Sequence, residues 1–243
     1  MGSQDNDWHG VYELLLQRHG PQGWWPVTPR NRSRPSYHPG QWPALTARQR
    51  AEILFGAILT QNTAWRNVEK ALLRLHKEGI FLPEQLIRIP QEDLAEWIRP
   101  SGYYRQKADR LVEVCESLLE AGGMAALEKL PLEEARPLLL SWRGIGEETA
   151  DSVLLYALDK ATFVVDAYTR RLAFRLGRAP EGASTGVLQR QIVPELPRSL
   201  PVYGELHALI VAHAKSHCAK RNPACMECPL RQICLWGKGR KQD

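Results

Sequence analysis

The sequence predicts an all-α protein, and three observations support this fold class. From Thr46 onward, apolar residues recur at helical spacing with hardly a break, as Ile53, Leu54, Ala57 and Ile58 illustrate. No stretch alternates apolar and polar residues for long enough to form a sheet. Proline and glycine interrupt the helical pattern at short intervals, so the chain should fold into many short helices joined by turns.

The helices follow one another in chain order. A short helical pattern covers Val11–Leu16, and a long one begins after Thr46, a residue type that caps helices. Further helices are predicted at about 67–77, 83–98, 104–121, 124–129, 132–141, 147–158, 167–176, 185–196 and 203–217.

The size and charge of the chain narrow its class. Its 243 residues, 44% of them hydrophobic, suffice for a core in one large domain or two smaller lobes. No apolar run approaches the length of a membrane span, and the polar, acidic N-terminus is unlike a signal peptide, so we expect a cytoplasmic protein. The net charge is +5, and the segment from Cys218 to Asp243 carries +4 of it, which is compatible with nucleic-acid binding.

Residues 20–43 form an irregular segment rich in proline, glycine, arginine and aromatic residues. A segment of this length without regular structure is usually disordered or functional. Its large aromatic side chains would be costly to expose, and Trp24-Trp25-Pro26 would make a rigid, flat wall. The alternative is a strap that simply packs on the domain.

A glycine-rich turn, Arg143-Gly144-Ile145-Gly146, joins the predicted helices 132–141 and 147–158, which makes a helix-hairpin-helix. Gly144 and Gly146 can adopt positive φ and allow another backbone to come close. The amides of the turn and of the next helix can then point at an anion, and a nucleic-acid phosphate fits that description.

Asp166 and two polar loops are candidates for chemistry. Asp166 follows an apolar run and stands at the head of a predicted helix, where a buried N-cap is the simpler interpretation. The loops around Gln61 and Tyr103 can be an ordinary helix junction and turn. An enzyme that extrudes a base must fill the vacated space, however, and these two side chains suit that task.

Four cysteines close to the C-terminus predict a metal centre. Cys218, Cys225, Cys228 and Cys234 have the spacing C-x6-C-x2-C-x5-C, which in a cytosolic protein indicates metal ligands far more often than disulfides. Thiolate chemistry alone does not separate zinc from a [4Fe-4S] cluster. Cys115 lies on a helical apolar stripe and is interpreted as a buried thiol.

The hairpin with Gly-Ile-Gly and the following Val-Val-Asp resemble the helix-hairpin-helix DNA glycosylases, the superfamily that contains endonuclease III. The resemblance implies that Asp166 is the catalytic carboxylate, that Gln61 fills the hole left by an extruded base, and that Tyr103 wedges between bases. The cysteine spacing matches that family's iron–sulfur motif, which favours a [4Fe-4S] cluster over zinc. The residues then expected to contact phosphate are Gly144, Gly146, Thr149, Lys220 and Arg221.

The resemblance also implies an architecture. It predicts a six-helix barrel lobe over residues 48–160, containing the hairpin, and a second helical lobe with the cluster loop from residues 1–47 and 161–243. The active-site cleft would lie between these lobes. The expected partner is double-stranded DNA with a damaged base, bound by a monomer that is nucleoid-associated if the protein is bacterial.

One departure from the family pattern concerns the reaction type. Bifunctional members carry a lysine two residues past the second glycine of the hairpin, and its amine attacks the sugar. This chain has Glu148 there, and a carboxylate cannot form an imine. The resemblance therefore implies a monofunctional glycosylase without AP lyase activity.

Several motifs look most like the 3-methyladenine DNA glycosylase branch. By that likeness Trp24, Trp25, Pro26 and Trp65 line the base pocket together with Lys215. A purine alkylated at N3 or N7 is cationic, stacks well on tryptophan, and leaves easily once Asp166 stabilises the oxocarbenium-like sugar.

Three alternatives to excision of alkylated purines stay open. The enzyme could act on deaminated or mismatched bases such as uracil, thymine or hypoxanthine, whose release needs a proton donor, for which His38 or Tyr168 are candidates. It could be an endonuclease III-like glycosylase and lyase for oxidised pyrimidines. It could also be a non-enzymatic helix-hairpin-helix DNA-binding protein.

Overall fold

The computed structural model of the chain describes residues 7–239, and this part is all-α, as predicted. Within it the sole β feature is an isolated antiparallel bridge between Val27 and Ser36. The polar N-terminal residues 1–6 and the basic residues Arg240 and Lys241 lie outside the described residues, so part of the predicted C-terminal charge is not described.

The chain divides into two compact units. We call the one that contains the hairpin the hairpin unit, and it comprises Trp25–Tyr37 and Pro43–Lys160. The other, the cysteine unit, comprises Met1–Trp24, His38–Trp42 and Ala161–Asp243, as far as these ranges are described.

The hairpin unit is built around one central helix. This helix, α2, begins after Thr46, whose hydroxyl accepts from the Gln49 amide at 3.3 Å, as the sequence predicted. Every residue from Ala51 to Leu59 is buried because neighbouring helices cover all of its faces. The unit's helices are α2 Ala47–Leu59, α3 Trp65–Lys77, α4 Pro83–Leu86, α5 Gln91–Trp97, α6 Tyr104–Glu120, α7 Met124–Lys129, α8 Leu132–Ser141 and α9 Glu147–Ser152.

Three predicted helices differ from those observed. The predicted helix 83–98 is divided into α4 and α5, since Pro90 lacks an amide and disfavours helical geometry at the preceding residue. The helix after the hairpin continues beyond α9 as a π-turn over Val153–Ala157, which no sequence pattern marked. The predicted helix 185–196 ends at Ile192 and continues as a 3-10 turn, Val193–Glu195, that contains Pro194.

The described residues of the cysteine unit form five α-helices. Asp7 caps α1 by accepting from the Gly10 amide at 2.7 Å, and α1 packs along the long, largely buried α12. Helix α10 packs on α12 and on the short α13 that ends the described chain. The helices are α1 Trp8–His19, α10 Ala167–Leu176, α11 Thr185–Ile192, α12 Leu200–Ser216 and α13 Leu235–Lys238.

Part of the aromatic segment packs with the hairpin unit. Trp25 is 4% exposed, and its ring contacts Gly56. The amide and hydroxyl of Thr28 donate to the buried carboxyl of Glu52. A buried carboxyl needs such donors, so these bonds fix the segment to α2 at Thr28. The sequence-based division, which assigned residues 1–47 as a whole to the lobe of the chain ends, differs here.

Candidate active site and nucleic-acid interface

Asp166 is the N-cap of α10 and is 6% exposed. Its Oδ1 accepts a 2.7 Å hydrogen bond from the Thr169 amide, and its Oδ2 lies 3.6 Å from Nε2 of His207. Burial raises the pKa of the Asp166 carboxyl, but His207 and the hydrogen bonds from Thr169 outweigh burial and hold this pKa below its ordinary value. Asp166 is therefore a buried, oriented carboxylate.

His207 lies between Asp166 and the aromatic segment. It projects from α12, is 4% exposed, and meets the ring of Trp24 edge to face at a centroid distance of 6.0 Å. No sequence motif marked His207. The available signal was its place in the apolar stretch 206–212 of α12, because an imidazole buried there needs a polar partner.

The predicted pocket residues are divided between the two units. Trp24 is half-buried and belongs to the cysteine unit, whereas Trp25 belongs to the hairpin unit. There Trp25 packs edge to face on Trp65 at 5.4 Å and against Tyr156 at 5.5 Å. Pro26 is buried as well. Lys215 is exposed near the end of α12.

The hairpin turn uses its two glycines differently. Gly144 has φ +86, and an added Cβ would collide with the side chain of Arg110, so this position requires glycine. Gly146 has φ −94 and caps α9 without a side-chain hydrogen bond. The backbone amides of the first turn of α9 are thus not capped by the side chain of the N-cap residue, which leaves them suited to bind an anion. The same turn carries the exposed side chains of Glu147 and Glu148.

Gln61 is docked on the hairpin. Its side-chain amide donates to the carbonyl of Gly144 at 3.2 Å and to the hydroxyl of Thr149 at 2.9 Å. Its carbonyl oxygen accepts from Arg110. The Thr149 hydroxyl, predicted to contact phosphate, is thus buried and bonded to Gln61.

Tyr103 protrudes from the surface. It is 69% exposed and has φ +47, a left-handed conformation that is unusual for a bulky residue and follows Gly102 at φ +67. An exposed tyrosine on a constrained turn is suited to insertion into another molecule.

A buried lysine connects this turn to the Gln61 loop. Lys107 is 2% exposed, and its ammonium donates to the carbonyl of Leu59 at 2.8 Å and to the carbonyl of Ser101 at 2.7 Å. Leu59 is the last residue of α2, and Ser101 lies two residues before Tyr103. Burial and the neighbouring Arg110 lower the pKa of Lys107 to about 8.

The four cysteines line one small pocket at the end of the described chain. The Gly237 amide donates to Cys234 Sγ at 3.4 Å, and buried Arg175 donates to Cys218 Sγ at 3.2 Å. Arg175 also donates to the carbonyls of Ala219 and Lys220. Hydrogen bonds and a cation directed at sulfur are what a thiolate centre requires.

Four thiols are a donor set that either zinc or an iron–sulfur cluster can take. Burial, together with the charges of the other three cysteines, raises the pKa of Cys228 to about 11, so four thiolates need bound cations. Within residues 7–239, the one compact group of side chains that could hold a single metal ion consists of three histidines, not the cysteines. Cys115 is fully buried, and burial raises its pKa strongly.

The two loop cations are exposed. Lys220 and Arg221 lie on the surface of the Cys218–Cys225 loop, where the backbone carbonyl of Lys220 accepts from Arg175. Their side chains are thus accessible to a phosphate. In the part of the chain that is described, no helix has the length and apolarity needed to cross a bilayer.

The profile of the HhH-GPD superfamily of base excision DNA repair proteins matches residues 55–195, which span the hairpin and Asp166. The chain belongs to this superfamily. It is 41% identical over 229 residues to a candidate DNA repair glycosylase of Methanocaldococcus jannaschii, an alignment that covers 93% of this chain and 94% of that protein.

Two further proteins are similar to this chain. Endonuclease III of Thermotoga maritima is 33% identical over 195 residues, with 77% of this chain and 85% of that protein covered. The crystal structure of H. pylori 3-methyladenine DNA glycosylase bound to 1,N6-ethenoadenine superposes with a TM-score of 0.67 at 27% identity, covering 86% of this chain and 97% of that one.

Proposed function

We propose that this HhH-GPD protein is a monofunctional DNA glycosylase that releases alkylated purines from duplex DNA. Membership of the superfamily makes it a base excision DNA repair protein. The choice of lesion and the lack of lyase activity are our inference from the residues around Asp166 and the hairpin.

The observation that carries the proposal is the buried, anionic state of Asp166. As the bond between sugar and base stretches, positive charge develops on the sugar, and a carboxylate in a low-dielectric environment stabilises it without reorganising. Water adds to C1′ as the bond breaks, the bonding electrons leave with the purine, and the water proton passes to Asp166 or to solvent. The Thr169 amide keeps the carboxylate in place during these events.

Alkylated purines are the substrate class that suits the residues near Asp166. A purine alkylated at N3 or N7 already carries positive charge, so it leaves as a neutral base without a proton donor. Its stacking on an indole face is favourable by about 0.5–2 kcal/mol. Trp24 is half-buried and contacts His207, and His207 lies beside Asp166. We therefore assign the stacking contact to the indole of Trp24. The likeness to a 3-methyladenine DNA glycosylase supports the same substrate class.

Glu148 supports a water nucleophile. It is exposed in the first turn of α9, at the position where bifunctional members carry the attacking lysine. A carboxylate there cannot form a Schiff base with an abasic sugar. Strand cleavage by β-elimination is therefore not expected.

For DNA binding we propose that the hairpin backbone at Gly144, Gly146 and Thr149 receives a phosphate, and that Lys220 and Arg221 of the cysteine unit contact phosphates of their own. Tyr103 enters the base stack, and Gln61 replaces the extruded nucleotide. Tyr103 is already exposed, but Gln61 must first leave its three partners on the hairpin and α6.

We further propose that Cys218, Cys225, Cys228 and Cys234 hold a [4Fe-4S] cluster. The cluster would tie the C-terminal loop to the end of α12, and its negative charge would be offset by Arg175 of α10. The thiolates contribute structure here, and no step of base release passes through them.

Base release from duplexes with a single lesion tests the function. The panel comprises N3-methyladenine, N7-methylguanine, ethenoadenine, hypoxanthine, uracil and thymine glycol, with strand nicking scored before and after alkali. We expect release of the alkylated purines and nicks only after alkali. Asp166→Asn should lose at least about 100-fold in rate. The matched control is Asp7→Asn, the same change at the cap of α1.

Each other outcome replaces part of the proposal. Release of hypoxanthine or uracil alone would move the substrate to deaminated bases. Strand cleavage without alkali would show that the protein is also a lyase. Tight binding with no base released would show that it is a DNA-binding protein without glycosylase activity.

A further inference from the structure

Three histidines of the cysteine unit converge where α1 meets the end of α12. His19 is the last residue of α1, and His213 and His217 stand one turn apart on and just after α12. One ring nitrogen from each lies within 4.8 Å of the others, and His213 and His217 are both buried. The function proposed above uses none of these side chains.

The ring nitrogens that point away from the centre already have partners. Nδ1 of His217 lies 2.8 Å from the Ser216 hydroxyl, and Nε2 of His213 lies 3.5 Å from Cys228 Sγ. Such contacts fix the tautomer and orientation of an imidazole and are typical of the outer partners of metal-bound histidines. They leave Nδ1 of His213, which is within hydrogen-bonding distance of Nε2 of His19, and Nε2 of His217 as the nitrogens that a bound ion would take.

The spacing of the inner nitrogens suits a tetrahedral ion. Nε2 of His19 lies 3.3 Å from Nδ1 of His213. Two nitrogens bound tetrahedrally at about 2.0–2.1 Å are separated by about 3.3–3.4 Å.

We propose that His19, His213 and His217 form a binding site for one divalent transition metal ion of the zinc class, beside the pocket that His213 and His217 line together with the four cysteines. Three neutral imidazoles leave the fourth position open to water. The ion would tie α1 to the end of α12. Because His213 also contacts Cys228, the ion would place positive charge beside the thiolates.

Metal titration of the full-length protein tests this site. The protein is purified with its iron and sulfide quantified, stripped of loosely bound metal with a chelator, and dialysed against Co²⁺ or Zn²⁺. Bound metal is measured by elemental analysis, and the ligand-field spectrum of Co²⁺ reports nitrogen ligands. His19→Gln is the variant, because His19 is the triad member farthest in sequence from the cysteines. His9→Gln, at an exposed position of the same helix, is the matched control.

We expect wild type and His9→Gln to bind one equivalent more than His19→Gln, or to bind it at least about tenfold more tightly. Iron content and helicity should be the same in all three proteins. Equal metal binding by wild type and His19→Gln would overturn the proposal, as would a wild-type protein that takes up no ion beyond its iron. The wild-type titration decides the matter even if His19→Gln folds poorly.

Discussion

The side-chain amide of Gln61 donates a 2.9 Å hydrogen bond to the hydroxyl of Thr149, the third residue of α9. Together with the bonds to Gly144 and Arg110, this bond holds Gln61 on the hairpin in the absence of DNA. A glutamine that is to fill a gap in the duplex must break these contacts. Docking of Gln61 and binding of a phosphate therefore compete for the same few residues of the hairpin.

Thr149→Val tests this competition. The substitution removes the acceptor with little change in volume, and a hydrogen bond of this kind contributes about 0.5–1.5 kcal/mol. If its loss favours release of Gln61, affinity for a duplex with an abasic analogue should rise about 2- to 12-fold. The gain should vanish in a Gln61→Ala background. Weaker binding by Thr149→Val would instead indicate that the hydroxyl contacts DNA directly.

Asp166 should also contribute to stability in a pH-dependent way. Its folded-state pKa is lowered, so the unfolded state binds more protons as the pH falls, and the stabilisation present at neutral pH is lost on acidification. Asparagine caps helices about as well as aspartate, so Asp166→Asn should remain folded. Urea unfolding should show a stability advantage of wild type at pH 7 that shrinks towards pH 3. A constant difference would mean that the charge of Asp166 does not stabilise the fold.

Local patterns predicted much of this molecule, and distant contacts were what they missed. The Thr46 cap, the hairpin turn and the helical position after Asp166 follow from neighbouring residues. His207 lies beside Asp166 although 41 positions separate them, and no short motif encodes such a pair. Arg175 is a similar case, because an arginine in α10 looks exposed until the cysteine loop covers it.

Lys107 should make the hairpin unit more stable at high pH. Its folded-state pKa is about 8, below that of an ordinary lysine, so the unfolded chain binds more protons between about pH 8 and 10.5 and stability rises through that range. Unfolding at pH 7.5 and 9.5 should show this gain in wild type and its absence in Lys107→Met. Lys77→Met, at an exposed position of α3, is the control. A wild-type gain that survives in Lys107→Met would have to come from other groups.

Glu148→Lys should introduce a nucleophile. The position is exposed in the first turn of α9, so a lysine can be accommodated without repacking. Treatment with borohydride and an abasic duplex should trap a covalent complex with the variant and none with wild type, because only an amine forms a reducible imine. Glu147→Lys, one residue earlier on the same turn, is the control. Trapping of wild type would reveal another attacking amine and contradict the monofunctional assignment.

Arg175→Gln should alter the proposed cluster more than it alters the fold around it. Arg175 donates to a cysteine sulfur, whereas Arg171 donates to the backbone carbonyl of the same residue, Cys218, which makes Arg171→Gln a matched control. A cation and donor at sulfur stabilise the more negative, reduced cluster, so their removal should shift the reduction potential to more negative values. Voltammetry of the iron-loaded proteins measures that shift. An unchanged potential in Arg175→Gln would contradict a role for the guanidinium in balancing the charge of the thiolates. A protein that holds a zinc ion on its four cysteines would show no voltammetric wave in any variant.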